Sequence, residues 1–353
     1  MRCHVRSTYH FDPSFRWSPL AARSAIIAWA RDAYLSQLAA MTQPYSELPD
    51  DCAGDVLEFL EMTNAHTDAL HVATHCSSPE AQTWVRAVLT AATTIEITAK
   101  ANAEIIAAAD EGDTATVQDC LEKGANVDAL DKRRTTALMM ASSEGHTPIV
   151  KLLLEDGADK DRKNDSGWTA LVYASLYGHT ASVRLLLEAD ADKEAKNDRG
   201  QTTLMLASQH GHIDSVKMFL EVGANIEAKS DSDHTALIRA SNEGHTAIVR
   251  LLLEAGADTD SKNYSGSIAL MMASEVGKSD VIQLLLIAGA NKDAKYDRGW
   301  TALMKASIEG HTAVVKLLLE AGAEKGTEDE IGQSALGLAK EFNYVELIEL
   351  LEQ

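Results

Sequence analysis

Glycine returns at Gly112, Gly145, Gly178, Gly211, Gly244, Gly277 and Gly310, each thirty-three residues after the last. An apolar anchor keeps the same step at Leu138, Leu171, Leu204, Leu237, Leu270, Leu303 and Leu336, and no insertion or deletion breaks either series. A period held this strictly restricts the chain to a stack of copies of one small unit. Two of the copies are nearly identical: Thr235–Ala257 reads TALIRASNEGHTAIVRLLLEAGA, and Thr301–Ala323 reads TALMKASIEGHTAVVKLLLEAGA.

Residues 296–328 show what one unit encodes. Asp297-Arg298-Gly299 is turn chemistry, with glycine free to take a positive φ. Thr301 precedes an Ala-rich apolar run and is placed to cap a short first helix, Ala302, Leu303, Met304 and Ala306, which Gly310 ends. Ala306 is small enough to let a neighbouring helix approach closely. A second helix carries Val314, Val315, Leu317, Leu318 and Leu319, apolar on more than one face, and Gly322 closes it. One unit cannot bury that leucine face alone, whereas stacked copies can. Aromatics make up only 5% of the chain, so the core must be built from Leu, Ala, Ile, Val and Met.

The Gly-x-Thr-Ala-Leu start, the Gly-His pair, the Leu-Leu-Leu run and the Gly-Ala ending resemble the ankyrin repeat family. The resemblance implies an all-α ankyrin-repeat solenoid of helix-turn-helix units joined by β-hairpin loops. Six full repeats span 131–163, 164–196, 197–229, 230–262, 263–295 and 296–328. A degenerate repeat at 98–130 precedes them and a truncated one at 329–353 follows. The family's Thr-Pro-Leu-His becomes Thr-Ala-Leu followed by Met139, Val172, Met205, Ile238, Met271 or Met304, so apolar packing must replace the histidine's hydrogen bond. Asp190 stands where glycine normally caps, at a cost of up to about 1 kcal/mol. Ile268 replaces the capping threonine, so the fifth repeat's first helix is expected to fray most. Glu346, Glu349 and Glu352 should face water on a terminal cap.

Residues 1–97 do not repeat. The first thirty-one carry five arginines against one acid, Asp12, which fits either a basic N-terminal segment over 1–45, with one helix, or an organelle transit peptide. Residues 46–97 read as a small helical region. Within it Leu48-Pro49, Val56-Leu57, Phe59-Leu60 and a later Trp84 resemble an F-box, the module that docks on a ubiquitin-ligase adaptor. The Trp84 spacing and the segment 64–77 depart from that family. Four scattered cysteines and no run of eighteen apolar residues fit a cytoplasmic chain that spans no membrane.

Few residues are arranged for chemistry. His146, His179, His212, His245 and His311 form a row, but successive units lie about 10 Å apart, too far for a shared metal; they read as structural. Gly277-Lys278-Ser279 imitates a phosphate loop, yet Met272 stands where the first glycine belongs. His71, His75 and Cys76, with Cys52 upstream, lack a second close ligand pair and read as helix packing. Asn164-Asp165-Ser166 and Asn263-Tyr264-Ser265 match glycosylation sequons but fall in repeat turns. No catalytic residue, metal or cofactor is expected.

The formal net charge of −21 repels nucleic acid and anionic lipid and steers basic partners in. The family resemblance implies partner docking on hairpin tips and on the exposed, concave side of the first helices. On this chain those positions are Arg133, Trp168, Leu176, Tyr177, Arg199, Gln209, His210, His234, Tyr264, Arg298, Trp300 and Ile308, with Trp168, Leu176, Tyr177 and His210 expected to lie close together. The implied function is that of a non-catalytic adaptor or scaffold for a protein or peptide partner with basic and apolar residues. The alternative is a ubiquitin-ligase substrate receptor recruiting its adaptor through 47–90.

Overall fold

The computed structural model describes residues 97–353. The basic segment, the F-box-like stretch and the His71, His75, Cys76 group lie outside them. Lys100–Gln353 forms one compact unit. A helix over 97–111 and Thr114–Glu122 open it, and seven helix pairs follow. These are Ala137–Glu144 with Thr147–Glu155, Ala170–Tyr177 with Thr180–Glu188, Thr203–Gln209 with Ile213–Glu221, and Ala236–Glu243 with Thr246–Glu254. Ala269–Glu275 with Ser279–Ile287, Ala302–Ile308 with Thr312–Glu320, and Ala335–Glu341 with Val345–Glu352 complete the series.

Helices of seven to nine residues are too short to persist alone in water. Capping starts them and packing holds them. The hydroxyls of Thr136, Thr169, Thr202, Thr235 and Thr301 each accept from the backbone N–H three residues on. Ile268 makes no such bond, as expected, but its side chain is fully buried, so packing holds the helix start that a hydroxyl holds elsewhere. Met139, Val172, Met205, Ile238, Met271 and Met304 are all buried to within 1%. The alanine column Ala141, Ala174, Ala207, Ala240, Ala273 and Ala306 is fully buried, and first helices pack on first helices through it. Glu346, Glu349 and Glu352 face water.

Three lines of hydrogen bonds run from repeat to repeat along the array. Across the hairpin tips, the N–H of Asp165 donates to the carbonyl of Arg133, that of Asp198 to Ser166 and that of Asp231 to Arg199. Within most hairpins an Asx side chain gathers the turn: Asn197 Oδ1 accepts from the N–H groups of Arg199 and Gln201, both at 3.0 Å, whereas Ser230 and Tyr296 hold that place in two others. The hairpins carry only isolated bridges, Lys196 to Thr202 and Glu328 to Ser334, and no strand forms among the described residues. At the far side, carboxylates reach forward. Asp128, Asp161, Glu194, Glu227, Asp260 and Asp293 accept from backbone N–H groups one repeat later, at 2.8–3.0 Å.

The third line explains the histidine row. His179 Nε2 bonds the Ser143 carbonyl at 2.8 Å, His212 the Leu176 carbonyl at 2.8 Å and His245 the Gln209 carbonyl at 2.9 Å. His146 and His311 repeat the contact at 3.0 Å. Each ring lies against the preceding repeat's glycine. A Cβ on Gly178, whose φ is +74°, would meet the His212 ring at 2.3 Å.

Two substitutions should therefore act in opposite directions. Gly178→Ala should destabilise by about 2 kcal/mol or more, through left-handed strain and displacement of the ring. Asp190 does adopt a positive φ, +62°, so Asp190→Gly should stabilise by about 0.5–1 kcal/mol. Urea midpoints moving apart with unchanged slopes would check both.

Candidate functional site

The outward stripe of each first helix follows i, i+3, i+4 spacing: 173, 176 and 177 in one repeat, 206, 209 and 210 in the next, then 239, 242 and 243. Beside it stand the hairpin residues Trp168, Gln201, His234, Ser267 and Trp300. The face falls into three chemically distinct zones.

The first is aromatic and apolar. Trp168 and Leu176 pack on a small cluster of Val172, Ala195 and Leu206, separate from the main core. The Trp168 and Tyr173 rings lie 5.0 Å apart and tilted by 46°, within the centroid range of interacting aromatic pairs. Asn164 Nδ2 donates to the Tyr173 hydroxyl at 3.0 Å, and burial pushes that phenol's pKa up. Tyr177 and His210 sit outside this cluster. Tyr177 is 52% exposed with its ring 6.4 Å from His179, and His210 stacks on His212 at 6.2 Å. Burial, then His212, lowers the His210 pKa.

The second zone is polar: Arg199 at the tip, Gln201 almost covered, and His234, Arg239 and Gln209 half-buried. Burial, then Arg239, holds the His234 pKa below its ordinary 6.5. The third zone gathers Tyr296, Trp300, Lys305 and Glu275. Lys305 Nζ stands 5.4 Å from both ring centroids and 3.1 Å from Glu275 Oε2. Burial works against this ammonium, but its contacts with Tyr296 and Glu275 outweigh it and raise the pKa.

Comparison with known proteins decides the family. Ankyrin repeats match in three copies, over residues 105–197, 189–263 and 270–353, well over half of the chain. The chain belongs to the ankyrin repeat family. Among solved structures it is similar to the ankyrin repeat domain of Bcl-3, described as a unique member of the IkappaB protein family. That likeness has 31% identity and a TM-score of 0.55, covering 62% of this chain and 99% of that one. No curated protein matches.

Against this ankyrin frame, Arg133, Tyr177, Arg199, His210, Tyr264 and Arg298 are exposed, while Trp168, Leu176, Gln209, His234, Trp300 and Ile308 are half-buried along the face. Trp168 and Leu176 share a cluster, and Tyr177 and His210 hold equivalent places in successive repeats. Sequence reading missed Tyr173, Arg239 and Lys305. Their register runs Met140, Tyr173, Leu206, Arg239, Met272 and Lys305, changing at every step between invariantly buried neighbours. That alternation was the available signal.

Two decoys resolve physically. Lys278 lies over Gly244 in the place of the histidine, between helices rather than after a strand. Both sequon amides are engaged, Asn164 Nδ2 with Tyr173 and Asn263 Nδ2 with His234, and Asn263 is 8% exposed. The described helices include none long and apolar enough to cross a membrane.

The depressed His234 pKa has a stability consequence. The unfolded imidazole takes its proton first, so the contribution is full above pH about 6.5 and is lost as pH falls below it. A ring titration by NMR should place His234 below 6.5, and Arg239→Met should move it part of the way back.

Proposed function

We propose that this ankyrin protein is a non-catalytic adaptor or scaffold that takes a protein or peptide partner along the hairpin-and-first-helix face, with no chemical step. The observation that carries this reading is the Trp168, Tyr173, Leu176 patch. It presents a rigid aromatic pair whose backing residues are buried, while its edge stays open beside an exposed Tyr177. Buried aromatic anchors surrounded by polar groups are where interface energy concentrates. Ankyrin repeats generally mediate protein–protein interaction, and the chain matches that family over most of its length. The charge of −21 favours a partner segment that is basic and apolar overall. A ligase-receptor role would rest on residues 47–90 alone, and loss of adaptor capture on Leu48→Ala with Pro49→Ala is its test.

For the adaptor reading, a partner identified by proximity labelling is purified and titrated against the chain. Trp168→Ala with Tyr177→Ala should weaken binding at least about tenfold with helicity by circular dichroism unchanged. Unchanged affinity would overturn the assignment of this face; lost helicity would assign the aromatics to the scaffold.

A further inference from the structure

The polar zone has more hydrogen-bond donors than the chain can match. Asn263 Oδ1 is occupied by the N–H groups of Ser265 and Ser267, at 3.1 and 2.9 Å. The amide nitrogen of Asn263 is therefore what faces His234 Nε2 at 3.3 Å, and it must donate. The imidazole proton then sits on Nδ1, which is buried and meets no acceptor among the described residues. The same holds for Arg239 Nε.

Around that guanidinium, acceptors run short. Gln209 Oε1 accepts from Nη1. The one oxygen of Gln201 is contested: it accepts from Asn197 Nδ2 at 2.9 Å, or, turned about, from Arg239 Nη1 and Nη2 at 3.1 and 2.9 Å. Either arrangement sets donor against donor. The Lys305 ammonium, two repeats on, holds a carboxylate at 3.1 Å; Arg239 forms no ion pair among the described residues. Charged neighbours act on it from a distance, Arg199 against and Glu243 in favour of the cation. Asp233 acts likewise on His234.

We propose that the half-buried Arg239 guanidinium, in the donor-rich surroundings of His234 and Gln201, receives a carboxylate, an Asp or Glu side chain of the partner peptide whose apolar anchor sits on Trp168 and Leu176, over the buried Leu206. The inference rests on the adaptor reading and adds to it the chemistry of one partner residue. Arg239 lies one repeat beyond Leu206, and His234 lies two beyond Trp168. At about 10 Å per repeat and ~3.3 Å per residue of extended chain, the acid falls roughly three to six residues from the anchor. The long-range field of the protein favours basic segments; the local donor surplus selects a single acid inside one.

Phage-displayed random dodecapeptides, selected on the full chain, test this directly. The selected peptides should share an Asp or Glu three to six residues from a Trp, Phe or Leu. In the tightest peptide, Glu→Gln (or Asp→Asn) should weaken binding by about tenfold, as loss of a charge-assisted bond implies. Arg239→Met should erase that difference. It should also raise the melting temperature, since Met140 and Met272 already fill this register and the substitution removes an unmatched buried charge.

Selected peptides without the acid, or a Glu→Gln effect that survives Arg239→Met, would overturn the carboxylate assignment. So would a lower melting temperature in Arg239→Met, which would show the guanidinium already matched within the chain. Peptides that lose binding on Trp168→Ala with Tyr177→Ala yet ignore Arg239 sink this inference alone. Failure to select any peptide dependent on either set of residues sinks the adaptor reading with it.

Discussion

A histidine ring resting on a bare glycine is the contact on which the array depends. The ring brings Nε2 to a carbonyl thirty-six residues back, and any side chain on the glycine would occupy the ring's place. The same glycine turns the chain out of its first helix in the left-handed region. One residue type thus satisfies a local and a tertiary demand together, which is why the thirty-three-residue step tolerates no slippage. The terminal pair keeps the arrangement with another ring, Tyr344 over Gly310.

The acidity of the chain has a structural component as well as an electrostatic one. Six carboxylates, one at every junction but the last, spend an oxygen on a backbone N–H in the following repeat. Bonds of this kind are stronger than those between neutral groups, and they satisfy loop N–H groups that neither helix can serve. The long-range repulsion of nucleic acid and anionic lipid therefore accompanies a stacking device. Hairpin, ring and carboxylate contacts run as separate lines, so a defect in one leaves the others intact.

Much of this was legible in residue order. The glycine and leucine series fixed the period, threonine before Ala-Leu located each first helix, and the buried Met139, Met205 and Met304 followed from the missing family histidine. The interactive face was less legible. Trp168 and Leu176 announced themselves by being large and apolar at turn and surface positions. Arg239 and Lys305 did not, because a charged residue on an amphipathic helix ordinarily reads as solvated. Whether such a residue finds a partner depends on residues thirty to thirty-five positions away, as Glu275 does for Lys305. The hydroxyl missing at Ile268 was visible; that burial takes over its task was not, since this requires knowing what surrounds the side chain.

The fifth repeat departs from the pattern twice. Lys278 covers Gly244 with methylenes where its counterparts bring an imidazole, and Ile268 brings no cap. At the junction between the fourth and fifth units the hairpin and carboxylate contacts persist: the Tyr264 N–H donates to the Ser232 carbonyl, and the Asn291 N–H donates to Asp260 Oδ1 at 3.0 Å. In a molecule whose cohesion is a sum over adjacent copies, helix packing carries the fourth and fifth units across this gap in the ring row, their first helices meeting as closely as those of the neighbouring junctions.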